Sequence, residues 1–185
     1  MKTVWAILLL SLAIAVLCGL RAEAQYASQQ VLAEELLTQN HRGSFTAAGF
    51  APDGSLYLLL DEGDGVRVLK TDSAGSSVQA QLHLGAAGDS PVALAVDPSG
   101  NVYIAGTSTS GALTGTSGVS FPAPADSSEN SFVAKLDPQL NLLFLTFVGS
   151  GHTAVSSIAA TSAGVFVTGS IFASTLPVTS SAMQQ

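Results

Sequence analysis

One acidic stretch and three histidines are the groups in this sequence whose types and spacing suggest chemistry. The acidic stretch, residues 61–65, contains Asp61, Glu62 and Asp64. These carboxylates are oxygen ligands of the kind that Ca²⁺ binds. The stretch lacks the alternating order and the distal Glu of a calcium-binding loop. The pattern therefore favours a solvated hairpin tip over a calcium site, and the lone Asp89 between Gly88 and Ser90 is a weaker candidate still.

The histidines His41, His83 and His152 form no recognised ligand pattern. None has a second His or a carboxylate at metal-ligand spacing on a helix, and no H-E-x-x-H motif is present. His83 falls in a predicted strand and His152 in a predicted turn. We expect structural or solvated roles for all three, and therefore no metal ion or other cofactor.

The serines are numerous, but none lies in a G-x-S-x-G nucleophile elbow. A Ser-His-Asp site assembled from distant loops stays an alternative, because a sequence does not show which loops meet in space. The sequence therefore assigns no catalytic, cofactor-binding or metal-binding residue and predicts a protein that is not an enzyme.

The first 24 residues have the organisation of a secretory signal peptide. Lys2 supplies a positive charge, residues 4–17 are apolar, and Ala22-Glu23-Ala24 is an A-x-A cleavage pattern. The apolar run is shorter than the roughly 20 residues of a transmembrane helix. We expect cleavage after Ala24 and a secreted, periplasmic or cell-surface protein without membrane insertion. A retained anchor is the alternative. Cleavage would also remove Cys18, the single cysteine.

The mature chain is acidic. Removal of Lys2, Arg21 and Glu23 would leave four basic and twelve acidic residues. Such a surface disfavours nucleic acid as a partner, because phosphate contacts need clustered Lys and Arg. The high content of Val, Leu, Ala, Ser, Thr and Gly is typical of a β-rich domain.

An internal repeat organises the rest of the chain. Asp97-Pro98-Ser99-Gly100 has the residues of a tight turn and lies between two apolar runs, which predicts a hairpin. The same residue pattern occurs 46 residues earlier, where Pro52, Gly54 and Tyr57 match Pro98, Gly100 and Tyr103. A shorter third copy, "SAGVFVTG", begins at residue 162.

A second unit recurs between these hairpins. "VRVLKTD" from residue 66 matches "FVAKLD" from residue 132, and each is followed by a turn and another apolar run. One repeat is therefore four short strands, which is typical of β-propeller blades. We predict an all-β fold with blades over residues 46–85 and 92–149 and a partial blade over 154–185. This is an incomplete ring of about two and a half blades. A β-sandwich is the alternative.

Two segments fall outside this pattern. The Ser-, Thr-, Gly- and Pro-rich residues 107–130 are predicted to be a surface loop inserted in the second repeat. Residues 25–43 form an N-terminal segment, in which apolar positions at helical spacing predict a short helix near residues 31–38.

The strings "AVDPSGNVYIAGTS", "SFVAKLDPQLNLLFLTFVG" and "STLPVTSSAMQQ" resemble the bacterial SBBP (seven-bladed β-propeller) repeat family. The resemblance covers roughly residues 47–185, with Phe121-Pro122 and Leu176-Pro177 at the place of the family's Phe-Pro motif. It implies a secreted or cell-surface propeller. We expect a non-catalytic binding or surface-display module, as a fragment of a longer protein, with an unknown protein or glycan ligand. Self-association through open blade edges is a further expectation. A lyase or hydrolase with its site in the propeller's central channel is the alternative.

Overall fold

A computed structural model describes residues 43–117, 129–149 and 152–172. These ranges form ten β-strands and no helix. The strands are β1 (Ser44–Phe50), β2 (Leu56–Asp61), β3 (Val66–Thr71), β4 (Val78–Leu84), β5 (Asp89–Val96), β6 (Val102–Ser108), β7 (Asn130–Leu136), β8 (Leu142–Phe147), β9 (Thr153–Ala160) and β10 (Val165–Ile171). Across the described ranges, no helix is long and apolar enough to span a membrane.

Several predictions concern parts of the chain outside the described ranges. They are the signal peptide, the short helix near residues 31–38, the histidine His41, the cysteine Cys18 and both Phe-Pro-like motifs. These stay predictions.

The strands form three antiparallel sheets. The first sheet has the order β1-β2-β3-β4, the second sheet β5-β6-β7-β8, and the third sheet contains β9 and β10. Neighbouring strands in a sheet are also neighbours in sequence. The connection between β6 and β7 is much longer than the others and contains the predicted inserted loop, of which residues 118–128 lie outside the described ranges. This arrangement confirms the prediction of an all-β fold with four-stranded antiparallel repeats.

The recurring turns explain why the strands begin and end at equivalent places. Gly54 and Gly100 have φ angles of +85° and +83°, a left-handed conformation in which a side chain would be strained. In the second sheet the Asp97 carboxylate accepts hydrogen bonds from the amides of Ser99 and Asn101 at 2.8 and 3.0 Å. The turn is therefore held by hydrogen bonds among its own residues.

The second sheet is buried on both faces. Val102 and Ile104 belong to a core cluster that includes Leu59 and Val68 of the first sheet. The alternate residues of β6, Tyr103 and Ala105, lie in a different cluster with residues of β9. Because a sandwich sheet keeps one face in solvent, this stacking matches propeller blades rather than the alternative fold.

The first strands of the sheets lie side by side, since β1 packs against β5 and β5 packs against β9. In a closed ring these strands would line the axis. The third sheet is the most exposed part of the described structure. Phe166 is 61% exposed, and Phe172 is also exposed.

Candidate functional site

The acidic tip predicted from residues 61–65 is the turn between β2 and β3. Asp61 stabilises this turn, because its carboxylate accepts a hydrogen bond from the amide of Gly63 at 2.9 Å. Asp64 is mostly exposed, with 76% of its side chain accessible. The stretch is thus a hairpin tip in which the Asp61 carboxylate is hydrogen-bonded to the backbone of the turn.

Strand pairing brings His83 to this tip. His83 lies on β4 opposite Arg67 of β3, at the end of the sheet where the tip lies. Its Nε2 atom is 3.5 Å from a carboxylate oxygen of Asp64. One ligand atom from each of Glu62, Asp64 and His83 lies within 4.8 Å of the others. The sequence did not reveal this group, because its members meet only through the register of β3 and β4.

The surroundings of the group do not favour a cation. The Glu62 side chain is only 7% exposed, and its carboxylate accepts a 2.7 Å hydrogen bond from Nε of Arg67. A metal ion bound to Glu62 would therefore lie close to a guanidinium charge, which repels it. Two carboxylates and one imidazole also supply fewer oxygens than the six to eight that Ca²⁺ takes. The geometry describes a Glu62–Arg67 ion pair beside an exposed Asp64–His83 contact at a strand end.

Four other carboxylates hold turns at the opposite ends of the sheets. They are Asp53, Asp72, Asp97 and Asp137. Each carboxylate accepts a hydrogen bond from at least one backbone amide within its own turn. Hydrogen bonds from Ser76, Ser77 and the amide of Ala74 lower the pKa of Asp72 to about 2. Hydrogen bonds from Asn141 and the amide of Gln139 likewise lower the pKa of Asp137.

Asp97 is the buried member of this set. Burial alone would raise its pKa, but hydrogen bonds from Asn101, Ser99 and Tyr103 outweigh burial and hold the pKa below the ordinary aspartate value. The Tyr103 hydroxyl donates at 3.2 Å and the Asn101 amide group at 2.8 Å. The carboxylate is thus kept ionised for a structural reason.

Asp89, the weaker candidate from the sequence, is nearly inaccessible at 1% exposure. One of its carboxylate oxygens accepts hydrogen bonds from the Ala86 amide and the Ser110 hydroxyl, at 2.8 and 2.6 Å. Its second oxygen has no hydrogen-bond partner among the described residues, and the same holds for the hydroxyl of Ser108 on the adjacent strand. Asp89 therefore anchors the link between the first two sheets.

A Tyr-Lys pair connects the first sheet to the second. Tyr57 and Lys70 face each other across β2 and β3, with the ammonium group 5.6 Å from the ring centroid. The Tyr57 hydroxyl and the Lys70 ammonium both donate to the carbonyl of Pro138 in the second sheet, each at 3.0 Å. The sequence showed that the two residues recur, but not that they bind the next repeat.

A cavity of about 300 Å³ lies between the second and third sheets. Its described lining is apolar or carries hydroxyl groups, and comprises Ser131, Val148, Thr153, Ala154, Val155 and the β10 residues from Val167 to Ile171. The two buried hydroxyl residues are already engaged, since Thr153 accepts from the Ser131 amide and Ser131 accepts from the Val155 amide, at 2.9 and 2.7 Å. The cavity therefore offers mainly apolar surface to a ligand. Sequence reasoning missed it.

Residues 81–112 match the family model described as the SBBP beta-propeller repeat. This chain carries an SBBP β-propeller repeat. The matched residues run from the end of β4 through the β5–β6 hairpin, which contains the Asp97 turn and the Tyr103 strand. The prediction of SBBP resemblance is confirmed for this segment. A search of curated proteins gives no significant match.

His152 lies beside Phe172, with ring centroids 4.9 Å apart, outside the acidic group and the cavity lining.

Proposed function

We propose that this chain is an exported, non-catalytic β-propeller module that acts by binding, with another protein as its partner. The observation that carries the proposal is the apolar cavity between the second and third sheets. Binding pockets are mainly apolar with a few polar groups, and this cavity is lined in that way. Its chemistry suits an apolar polypeptide segment better than a hydroxyl-rich glycan.

The charged groups of the described residues support the same interpretation. Acid–base catalysis needs titratable groups directed at a bound substrate. Here the carboxylates with lowered pKa, such as Asp72 and Asp97, accept hydrogen bonds from their own turns. Glu62 pairs with Arg67. These groups stabilise the repeat, while the cavity presents the surface for a partner.

A binding screen tests the proposal. The purified mature protein is screened against peptide and glycan panels, and in parallel against general esterase, peptidase and glycosidase substrates. We expect peptide binding without turnover. Val167→Asp places a charge in the cavity lining and should weaken the binding about tenfold or more. Ser157→Asp adds the same charge at an exposed position of β9 outside the lining and should leave binding unchanged.

Two results would contradict this proposal. One is turnover of any of the enzyme substrates that is still observed with both Val167→Asp and Ser157→Asp. The other is binding that is equally strong in Val167→Asp and in the wild-type protein. Preferential binding of glycans would keep the module a binding protein but would make the assignment of a protein partner wrong.

Export is the second part of the proposal, and it rests on the leader pattern of residues 1–24. We propose that the protein is secreted, periplasmic or displayed at the cell surface. N-terminal sequencing of the protein recovered from outside the cytoplasm should begin at Gln25. A protein that begins at Met1 would contradict cleavage after Ala24.

A further inference from the structure

The first sheet has a second apolar face, on the side away from the second sheet. On the side that packs against the second sheet, β2 and β3 present residues such as Leu59 and Val68 to the main core. The residues on the other side form a separate cluster that is confined to the first sheet: Leu56, Leu58, Leu60, Leu69 and Val78. This side of the first sheet is called the back face below.

The centre of the back face is buried. Leu69 is fully buried and Leu60 is only 2% exposed. Among the described strands, the first sheet contacts only β5 outside itself, and β5 belongs to the second sheet on the opposite side. A sheet face without a covering layer is solvated, as the exposed Phe166 of the third sheet shows. The described strands therefore do not account for the burial of the back face.

The margin of the back face indicates how wide its cover is. Phe45 and Phe50 of β1 lie opposite Leu60 and Leu56, which places them on the back face, and both are more than half exposed. At the interfaces between described sheets the first strands are covered, because β1 packs against β5 and β5 packs against β9. A complete sheet on the back face would cover β1 in the same way. The cover is therefore narrower than a sheet and lies over β2 and β3.

Three long stretches of the chain lie outside the described ranges, and only one of them leads into the first sheet. Residues 118–128 connect strands of the second sheet, and residues 173–185 follow β10 of the third sheet. Residues 1–42 instead lead directly into β1, where Phe45 lies opposite Leu60 of the back face. The N-terminal stretch therefore joins the first sheet beside the buried centre.

The sequence of this stretch suits the back face. Leu32 and Leu36 are four residues apart, as are Ala33 and Leu37, so on a helix they form one apolar side, with Thr38 on the opposite side. A helix over the eight residues 31–38 is about 12 Å long. The four residues between it and β1 span up to about 14 Å when extended, which is sufficient to place the helix over β2 and β3.

We propose that the helix predicted over residues 31–38 packs its apolar side on the back face of the first sheet, in the same molecule. The helix takes the place of a preceding blade and directs Glu34 and Glu35 to solvent. A polar outer surface of this kind is what the end of a repeat array needs for solubility. The back face is therefore closed to a second copy of the chain. The inference concerns the face opposite the second sheet and does not depend on the proposed binding function.

Paramagnetic relaxation measured by NMR tests the position of the helix. The chain from Gln25 onward contains no cysteine, so a nitroxide attached to Glu35→Cys is the single spin label. We expect the label to broaden the methyl resonances of Leu58 and Leu69. The methyl resonances of Ile171, which lies on β10 of the third sheet, should keep their intensity.

Two further variants of the spin-labelled protein test the apolar side of the helix. Leu36→Asp places a charge on the side that faces the sheet and should abolish the broadening, because burial of an unpaired carboxylate is unfavourable. Thr38→Asp adds the same charge on the opposite side of the helix and should leave the broadening unchanged.

A mixed sample separates packing within one molecule from packing between copies. Spin-labelled protein without isotope is mixed with methyl-labelled protein without a spin label, and no broadening of Leu58 or Leu69 is expected. Broadening in the mixed sample would overturn the inference, because the helix of a second copy would then cover the face. Unchanged Leu58 and Leu69 resonances in the singly labelled protein would also overturn it, as would equal broadening in the Leu36→Asp and Thr38→Asp variants.

Discussion

The interface between the first and second sheets and the interface between the second and third sheets use the same sequence pattern with different results. An aromatic residue stands at the second position of the second strand in each repeat. Tyr57 is completely buried, Tyr103 is 6% exposed, and Phe166 is 61% exposed. In all three strands an apolar residue precedes and follows the aromatic one, so the difference comes from what covers each aromatic residue. Burial in this fold is supplied by the next sheet.

The polar contacts of the two interfaces differ as well. In the first sheet the hydroxyl of Tyr57 donates across the interface to Pro138, whereas the hydroxyl of Tyr103 donates to Asp97 in its own turn. The two copies also differ at the turn, where the first has Ala51 and the second has Asp97, so only the second copy offers its tyrosine this carboxylate.

The largest expected effect on stability comes from removing the buried ring of Phe132. Phe132→Ala leaves a cavity in the core between the first and second sheets and should destabilise the protein by about 3–5 kcal/mol. Phe166→Ala, on the exposed face of the third sheet, should change stability by less than about 0.5 kcal/mol. Urea unfolding measures both. Similar losses in the two variants would show that Phe166 is covered in solution, and the contrast between the interfaces would be wrong.

A smaller effect is expected from the turn of the second sheet. Asp97→Asn removes a charged acceptor of several hydrogen bonds and should cost on the order of 2 kcal/mol at neutral pH. Because the folded-state pKa of Asp97 is lowered, its stabilisation is present above the unfolded value near 3.8 and is lost as the pH falls through the folded value. The difference between wild type and variant in urea unfolding should therefore narrow at pH 3.

The matched control for this variant is Asp64→Asn at the acidic tip. Its carboxylate is exposed and pairs with His83 only at 3.5 Å. Surface ion pairs of this kind contribute about 0–1 kcal/mol, so the control should be nearly silent. An equal loss of stability in Asp97→Asn and Asp64→Asn would contradict the role of Asp97 if the stability difference between wild type and Asp97→Asn also does not narrow at low pH.

The smallest expected effect on stability comes from removing either tyrosine hydroxyl, and the two variants differ only in the pKa of Asp97. Tyr57→Phe and Tyr103→Phe each remove one hydroxyl donor and should each cost about 1 kcal/mol. They should differ in the titration of Asp97, followed by NMR of its carboxyl carbon. Tyr103→Phe should raise the pKa of Asp97, because it removes a hydrogen bond to the charged form. Tyr57→Phe should leave that pKa unchanged. A shift of equal size in both variants would mean that the two hydroxyls share one network.

The sequence predicted the strands and turns because their signals are local. Pro, Gly and Asp fix the first turns of the first two repeats through bonds within a few residues. Because Pro52, Gly54 and Tyr57 each lie 46 residues before Pro98, Gly100 and Tyr103, the sequence indicated a repeated hairpin. The fold class followed from the recurrence of a four-strand repeat, and the structure shows the second sheet buried on both faces, as stacked blades require.

The site features could not be predicted in the same way. The group around His83 depends on the register of β3 and β4, and the donation from Lys70 to Pro138 depends on how two sheets stack. The cavity depends on how the second and third sheets pack against each other. Gly106 recurs as Gly169, and a Cβ at either position would meet a backbone oxygen of the preceding strand, so these glycines reflect strand pairing and gave no signal for the cavity.

The central claim is that the second sheet is a blade packed between two neighbours, and NOE spectroscopy on methyl-labelled protein tests it most directly. The account predicts contacts from Ile104 to Leu59 or Val68 of the first sheet and, from the opposite face, contacts from Val133 to Val155 or Ile158 of the third sheet. Contacts from one face only, with the other face open to solvent, would contradict the stacked-blade architecture and favour a two-layer sandwich.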